Sequence, residues 1–393
     1  GTENRVERVF QISCHGPVYV PSWTRAEVYA NLCSSNTCKE IIMTIRNLSP
    51  QQMFADLVAN RTPELAFAGS SKSQFDSWQT KTLPTVLACL GDSPERVDLN
   101  PQLLAEWTHR GLRRQRWIID VQQHMSATLL VNIPEDLKDG EARPALFCCH
   151  GHGPFGKEPI MGNDSSDALA ANIAQHRYDY GETMAQLGFI TYAIDFIGFG
   201  ERNDTVKPNH HAAPGGRDWC NLYYLHATML GMTSISINVT HGQAATDFAI
   251  SLPQVDGERL GVMGLSGGGV MTLWMTLCDE RFRAAEIMCY SDLWSAFGIR
   301  DNNYCGMQVA PGLFKYVDLP DVQGLIAPRP LLVDIGANDT CFRVDTAMAC
   351  YRQVEKIYAA AGATDKLELD LHPGEHGWGG NLSEAFFRRH LEA

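Results

Sequence analysis

From residue 116 onward, short apolar runs alternate with longer mixed stretches, whereas residues 1 to about 110 carry no alternating strand pattern. Residues 116–121 and 128–133 are rich in β-branched and apolar side chains and flank a short polar turn, which predicts an antiparallel hairpin. Further strands are predicted at 145–149, 189–195, 260–264, 285–290, 331–335 and 367–371. Helices are predicted between them at 179–187, 241–251 and 345–361. Continuous apolar strands separated by helices indicate a mostly parallel sheet covered on both faces, an α/β fold. Ahead of it, helix-like pieces around 23–32, 50–59 and 101–108 suggest a helical N-terminal extension over 1–114, with the α/β domain occupying 115–393. That extension reads as packing that covers a sheet edge, with a lid as the alternative. Residues 290–329 are too long for a simple connection and read as an insertion that shapes a pocket at a strand end.

The formal charge of −13 comes without a lysine- or arginine-rich run, which argues against nucleic acid and anionic membranes as partners. No apolar stretch reaches the roughly 18–20 residues that span a bilayer, and residues 1–8 are polar. The expectation is a soluble, cytoplasmic chain, or a secreted one if a leader has been removed. Twelve scattered cysteines, including Cys148 and Cys149 in a strand, read as reduced core residues. The sequons at Asn60 and Asn238 keep a secreted, disulfide-bearing alternative open.

Candidate chemistry gathers where predicted strands end. The strand 260–264 runs into Gly264-Leu265-Ser266-Gly267-Gly268, and an apolar helix follows. A serine between glycines at a strand-to-helix turn stands clear of its neighbours, with the free N–H groups of the helix beside it. His150-Gly151-His152-Gly153 follows the strand 145–149, which offers the His152 N–H as a second oxyanion donor beside that of Gly267. The His-x-His pair lacks the context of a zinc site, so no metal is expected. Asp339 follows the strand 331–335 and His376 lies on the loop after 367–371; Asp334 and Asp345 are the rival acids and His372 the rival base. The order Ser266, Asp339, His376 is that of one serine-hydrolase fold. Glu201 and Arg202, after the strand 189–195, read as a pair fixing their loop, with Arg202 as a possible substrate contact. Trp294, Tyr304 and Phe314 in the insertion are candidate pocket walls.

These residues together resemble the dienelactone hydrolase-like and acetyl xylan esterase-like branch of the α/β-hydrolases. The similarity covers roughly 115–390 and rests on the 150–153 loop, 195–202, the approach Pro253-Gln254-Val255-Asp256 to the glycine-flanked serine, 305–313, Ala327-Pro328-Arg329-Pro330, 336–339 and Glu375-His376-Gly377. Dienelactone hydrolase itself uses a cysteine nucleophile, and serine stands here instead. The resemblance implies an α/β-hydrolase fold and a serine carboxylic-ester hydrolase that needs no cofactor and acts on a small-molecule ester, acetylated carbohydrate among the candidates. Ser266, Asp339 and His376 match the family triad. A prolyl oligopeptidase-like peptidase or amidase is the alternative, since the Gly-x-Ser-x-Gly-Gly turn is shared. A non-catalytic binding protein on the same fold is a third. Oligomeric state is not legible.

Overall fold

Residues 47–204 and 219–392 are described by a computed structural model. The chain divides into two units, Gly1–Pro50 and Gln51–Ala393. The first, with the helix expected at 23–32, falls almost wholly outside the described residues, so the account below concerns the second.

Apolar side chains along the strands alternate between two cores, and this period of two holds the sheet between layers. Phe147, Tyr192, Val262, Ile287 and Val333 enter one core, which also takes Phe248, Trp274 and Ile357 from helices Ser234–Ser251, Gly267–Cys278 and Val344–Ala361. Leu146, Cys148, Ala193, Met263 and Leu332 point the other way, to Tyr180 and Met184 of helix Tyr180–Gln186 and to Phe386 and Phe387 of helix Ser383–Leu391. The strands are β1 (Gln102–His109), β2 (Leu112–Gln122), β3 (Met125–Pro134), β4 (Arg143–Cys149), β5 (Ile190–Ile194), β6 (Val255–Leu265), β7 (Phe282–Met288), β8 (Leu331–Gly336) and β9 (Leu367–His372). Their order in one sheet is β1-β2-β3-β5-β4-β6-β7-β8-β9. β1, β2, β3 and β5 pair antiparallel in sequence, and every pair from β5 to β9 is parallel. The carboxyl ends of those parallel strands share one edge, the side on which ligands bind in sheets of this type.

Two departures from the sequence reading lie in the N-terminal part. Residues 101–108 were expected to be helical, but Gln102–His109 is strand β1. It pairs with β2 through the two-residue turn Arg110-Gly111, at φ 52° and 74°. Positive φ at both turn positions is the hairpin geometry that matches strand twist. Every residue of β1 is exposed, so it has no buried face to give it an alternating pattern. The sheet therefore begins inside the expected helical extension. Helix Lys72–Ala88, capped by Ser71 and Gln74, was not singled out; Pro84 interrupts its pattern. Helix Pro50–Ala59 lies where expected. No helix among the described residues is long and apolar enough to cross a membrane.

Candidate active site

β6 ends in a turn that forces Ser266 to φ 60° and ψ −117°. A non-glycine residue there costs about 1–3 kcal/mol and persists only when its surroundings hold it. The Ser266 N–H donates to the Met288 carbonyl at 2.8 Å, and the Ser266 carbonyl accepts from Val270 at 3.1 Å, inside helix Gly267–Cys278. The flanking glycines are needed for space. A Cβ on Gly264 would lie 2.5 Å from the Gly268 carbonyl oxygen, and one on Gly268 would run into the Cys149 carbonyl oxygen. Ser266 thus sits half-buried at the start of a helix, where unpaired N–H groups concentrate.

Asp339 lies just past β8, and its Oδ2 is 2.8 Å from His376 Nδ1. The other oxygen, Oδ1, accepts the N–H groups of Cys341 at 2.7 Å and Phe342 at 3.1 Å. Burial pushes the carboxyl up, but the hydrogen bond and charge of His376 and the two N–H donors outweigh it and hold Asp339 below its ordinary value. The His376 ring stacks on Phe342 at 5.8 Å and 22°, and its carbonyl contacts His176 Nδ1 at 2.6 Å. The rivals are engaged elsewhere. Asp334 and His372 Nε2 stand 3.0 Å apart, both buried, and Asp345 is exposed beside Arg343 on helix Val344–Ala361.

Ser266 and His376 line one cavity of ≈ 380 Å³, with His152, His176, Tyr178, Tyr304 and Phe342 among its walls. Among the expected pocket residues, Tyr304 lines it. Trp294 is buried and packs edge-on against Phe314 at 6.1 Å, so these two brace the insertion behind the wall. Arg202 is also buried: it donates to the Asp195 carbonyl at 2.8 Å and meets His241 at 2.9 Å. The expected Glu201–Arg202 pairing is replaced. Glu201 instead meets the buried Lys157, whose ammonium also pairs with Asp195 at 2.7 Å, because a buried ammonium demands carboxylates more than an arginine that already has acceptors. His176, Tyr178 and Phe342 were not foreseen, since nothing local marks a residue that reaches the site from another loop.

The 150–153 loop divides its two histidines. His150 is fully buried; its Nε2 accepts the Phe196 N–H at 2.9 Å, so its Nδ1 carries the proton shared with the Gly151 carbonyl at 2.8 Å. Burial pulls it down to about 4, so it stays neutral. Both nitrogens of His150 are engaged in these contacts. His152 is exposed and lies against Gly267, with Nδ1 2.9 Å from where a Gly267 Cβ would be.

The Abhydrolase family model matches residues 24–372. The chain is 23% identical over 282 residues to the Bacillus subtilis (strain 168) protein named "Putative hydrolase YtaP", spanning 70% of this chain and 86% of that one. Its fold is similar to a crystal structure of a "putative acetyl xylan esterase" from Bacteroides fragilis NCTC 9343, with a TM-score of 0.66, 18% identity and 83% of both chains covered. It is also similar to glucuronoyl esterase from Solibacter usitatus, with a TM-score of 0.60, 15% identity, and 84% and 97% of the two chains covered. With its glycine-flanked serine turn on a mostly parallel sheet and a family match over most of its length, the chain belongs to the Abhydrolase family and has the α/β-hydrolase fold.

Proposed function

We propose that the protein is a serine carboxylic-ester hydrolase acting through Ser266, His376 and Asp339. The observation that carries the reading is the arrangement itself: a serine held at positive φ on a helix N-terminus shares a cavity with a histidine whose far nitrogen is tied to a buried carboxylate. Asp339 bound to Nδ1 leaves the Nε2 of His376 as the nitrogen that can take a proton. His376 removes the Ser266 proton as the oxygen adds to the ester carbonyl, and the N–H groups of Gly267 and His152 accept the charge that develops on the carbonyl oxygen. Collapse of this intermediate expels the alcohol, which receives the proton from His376, and leaves an acyl-serine. Water then attacks with the same base, releases the acid and restores the serine. Asp339, held below its ordinary value, stays ionised throughout and balances the imidazolium. None of these steps calls on a metal or organic cofactor.

Esters of carbohydrates are the substrate class the reading favours, because the structurally similar proteins are named as acetyl xylan and glucuronoyl esterases. Tyr304 and Phe342 in the cavity lining are the kind of aromatic side chains that suit a sugar. Replacing Ser266 with Ala should lower kcat by on the order of 10⁶ without unfolding the protein, because the three groups act as a unit. A fluorophosphonate should label Ser266 alone. Turnover of Ser266→Ala within tenfold of the parent would end the proposal, and faster cleavage of a p-nitroanilide than of the matched p-nitrophenyl ester would redirect it to a peptidase. A panel of acetylated sugars, feruloyl esters and aryl esters then fixes the alcohol and acyl groups.

A further inference from the structure

Among the described residues, three groups of His, Cys, Asp or Glu bring their ligand atoms within 4.8 Å of one another. Cys289 with Asp339 and His376 belongs to the site already described. Cys289 with Asp334 and His372 is closed around the direct contact of the two latter side chains. The third, His152 with Cys220 and Cys305, has no part in the ester mechanism through its side chains and consists of one imidazole and two thiols. We propose that His152, Cys220 and Cys305 form a binding site for one soft divalent cation of the zinc class, set beside the cavity that holds Ser266.

The donor set is the first argument. Thiolate and imidazole are the ligands zinc prefers, and two thiolates neutralise its charge in a buried place. Cys220 and Cys305 are both buried, while His152 opens to solvent and provides the way in. Spacing is the second. A tetrahedral ion with bonds of about 2.0–2.3 Å holds its N and S ligands roughly 3.5–3.8 Å apart. His152 Nε2 is 2.6 Å from Cys305 Sγ and 4.0 Å from Cys220 Sγ, values that bracket this range, so small rotations of the side chains seat the ion.

Support around the three residues is the third argument. Cys220 lies in helix Trp219–Met229 and Cys305 in the turn before Gly306–Gln308. Asn221 Oδ1 accepts the Gly306 N–H at 2.7 Å, and a Cβ at Gly306 would run into Tyr224, so this turn is fitted to the helix. Gln308 Nε2 donates to Cys305 Sγ at 3.8 Å, the kind of outer hydrogen bond that orients a metal ligand. The His152 ring stands edge-on to Phe199 at 5.1 Å and 89°. Zinc binds thiolates, so each cysteine gives up its thiol proton to solvent as its S–Zn bond forms. Three protein ligands leave a fourth position for water or another oxygen ligand.

The test uses the reduced, chelator-stripped full chain and zinc itself. Native mass spectrometry should find one zinc per chain, and cobalt substituted for it should show the absorption band of thiolate ligation. Cys220→Ser, Cys305→Ser and His152→Ala should each lose the bound ion, whereas Cys289→Ser should keep it. In the unaltered protein, zinc should slow alkylation of Cys220 and Cys305 and leave that of the exposed Cys341 unchanged, which gives an answer even if a variant fails to fold. Absence of stoichiometric zinc, binding that survives both Cys220→Ser and Cys305→Ser, or a Cys220–Cys305 disulfide in the purified protein would overturn the site. Ser266→Ala protein should bind zinc equally, so this result and the fate of the esterase reading are separable.

Discussion

Two aspartate–histidine pairs stand within a few residues of each other, and their surroundings give them different work. Asp339 is tied to His376 on the cavity wall, while Asp334 and His372 are buried beneath the loop that carries His376, where Asp334 also accepts the Gly379 N–H at 2.9 Å. Asp339→Asn should keep the backbone contacts of Cys341 and Phe342, since an amide oxygen can accept them, but leave His376 with the wrong tautomer. A loss of about 10⁴ in kcat with an unchanged melting temperature is expected. Asp334→Asn should act mainly on stability, by about 1–3 kcal/mol, through the weakened interaction with His372. Measuring kcat and the melting curve on the same preparations decides, and the opposite pattern would move the catalytic acid to Asp334. Ser266, Asp339 and His376 stood out as candidates in the sequence because each lies at or shortly after a strand end. What the sequence did not carry is the partnership of the two rival candidates, Asp334 and His372, which depends on β8 and β9 lying side by side with Asp334 opposite Asp370 and Gly336 opposite His372.

Elements buried on both sides were legible as runs of apolar residues, and β4, β6, β7 and β8 all fall there. β1 was not, because Gln102–His109 is exposed along its whole length and takes its conformation from pairing with β2. Its Leu103, Leu104 and Trp107 suggest a helix only when counted without a partner strand. The internal roles of the long connection between β7 and β8 were not legible: Trp294 and Phe314 pack against each other, and Tyr304 lines the cavity. The serine turn is the element where spacing and structure are most tightly linked. Gly268→Ala places a methyl group against the Cys149 carbonyl, so β4 and the helix Gly267–Cys278 must separate. Overpacking of this kind costs about 1–3 kcal/mol, and displacement of Ser266 by even 1 Å costs on the order of 10² in rate. Urea unfolding and kcat should both report the change. Gly257→Ala, whose methyl would meet the Ile250 side chain at 3.0 Å, should leave kcat unchanged and shift the urea midpoint less. If Gly268→Ala behaves as mildly as Gly257→Ala, the close approach of the helix to β4 is not what holds the serine.

At the scale of the molecule, the parallel strands that deliver the site to one edge also crowd acids together in the sheet. Glu286 on β7 is fully buried, with Asp334 on β8 and Asp370 on β9 as the nearest charges of its own sign. Burial, and then repulsion from Asp334, raise it from 4.5 to about 8. Its Oε1 accepts from Ser383 at 2.7 Å and Trp378 at 3.1 Å, which ties β7 to the C-terminal helix. Below pH 4.5 the carboxyl is protonated in both the folded and the unfolded chain and costs nothing. Between 4.5 and about 8 the unfolded chain ionises while the folded one keeps its proton, so stability falls as pH rises. Above about 8 both states are ionised and the loss is complete. Glu286→Gln keeps an oxygen for Ser383 and Trp378 and cannot ionise. The variant's melting temperature relative to the parent's should therefore climb steadily from pH 5 to pH 8 and level off beyond it. Comparing the two proteins cancels the pH dependence of groups that do not interact with Glu286, which are common to both. A difference that stays flat across this range would mean that Glu286 ionises freely in the folded sheet.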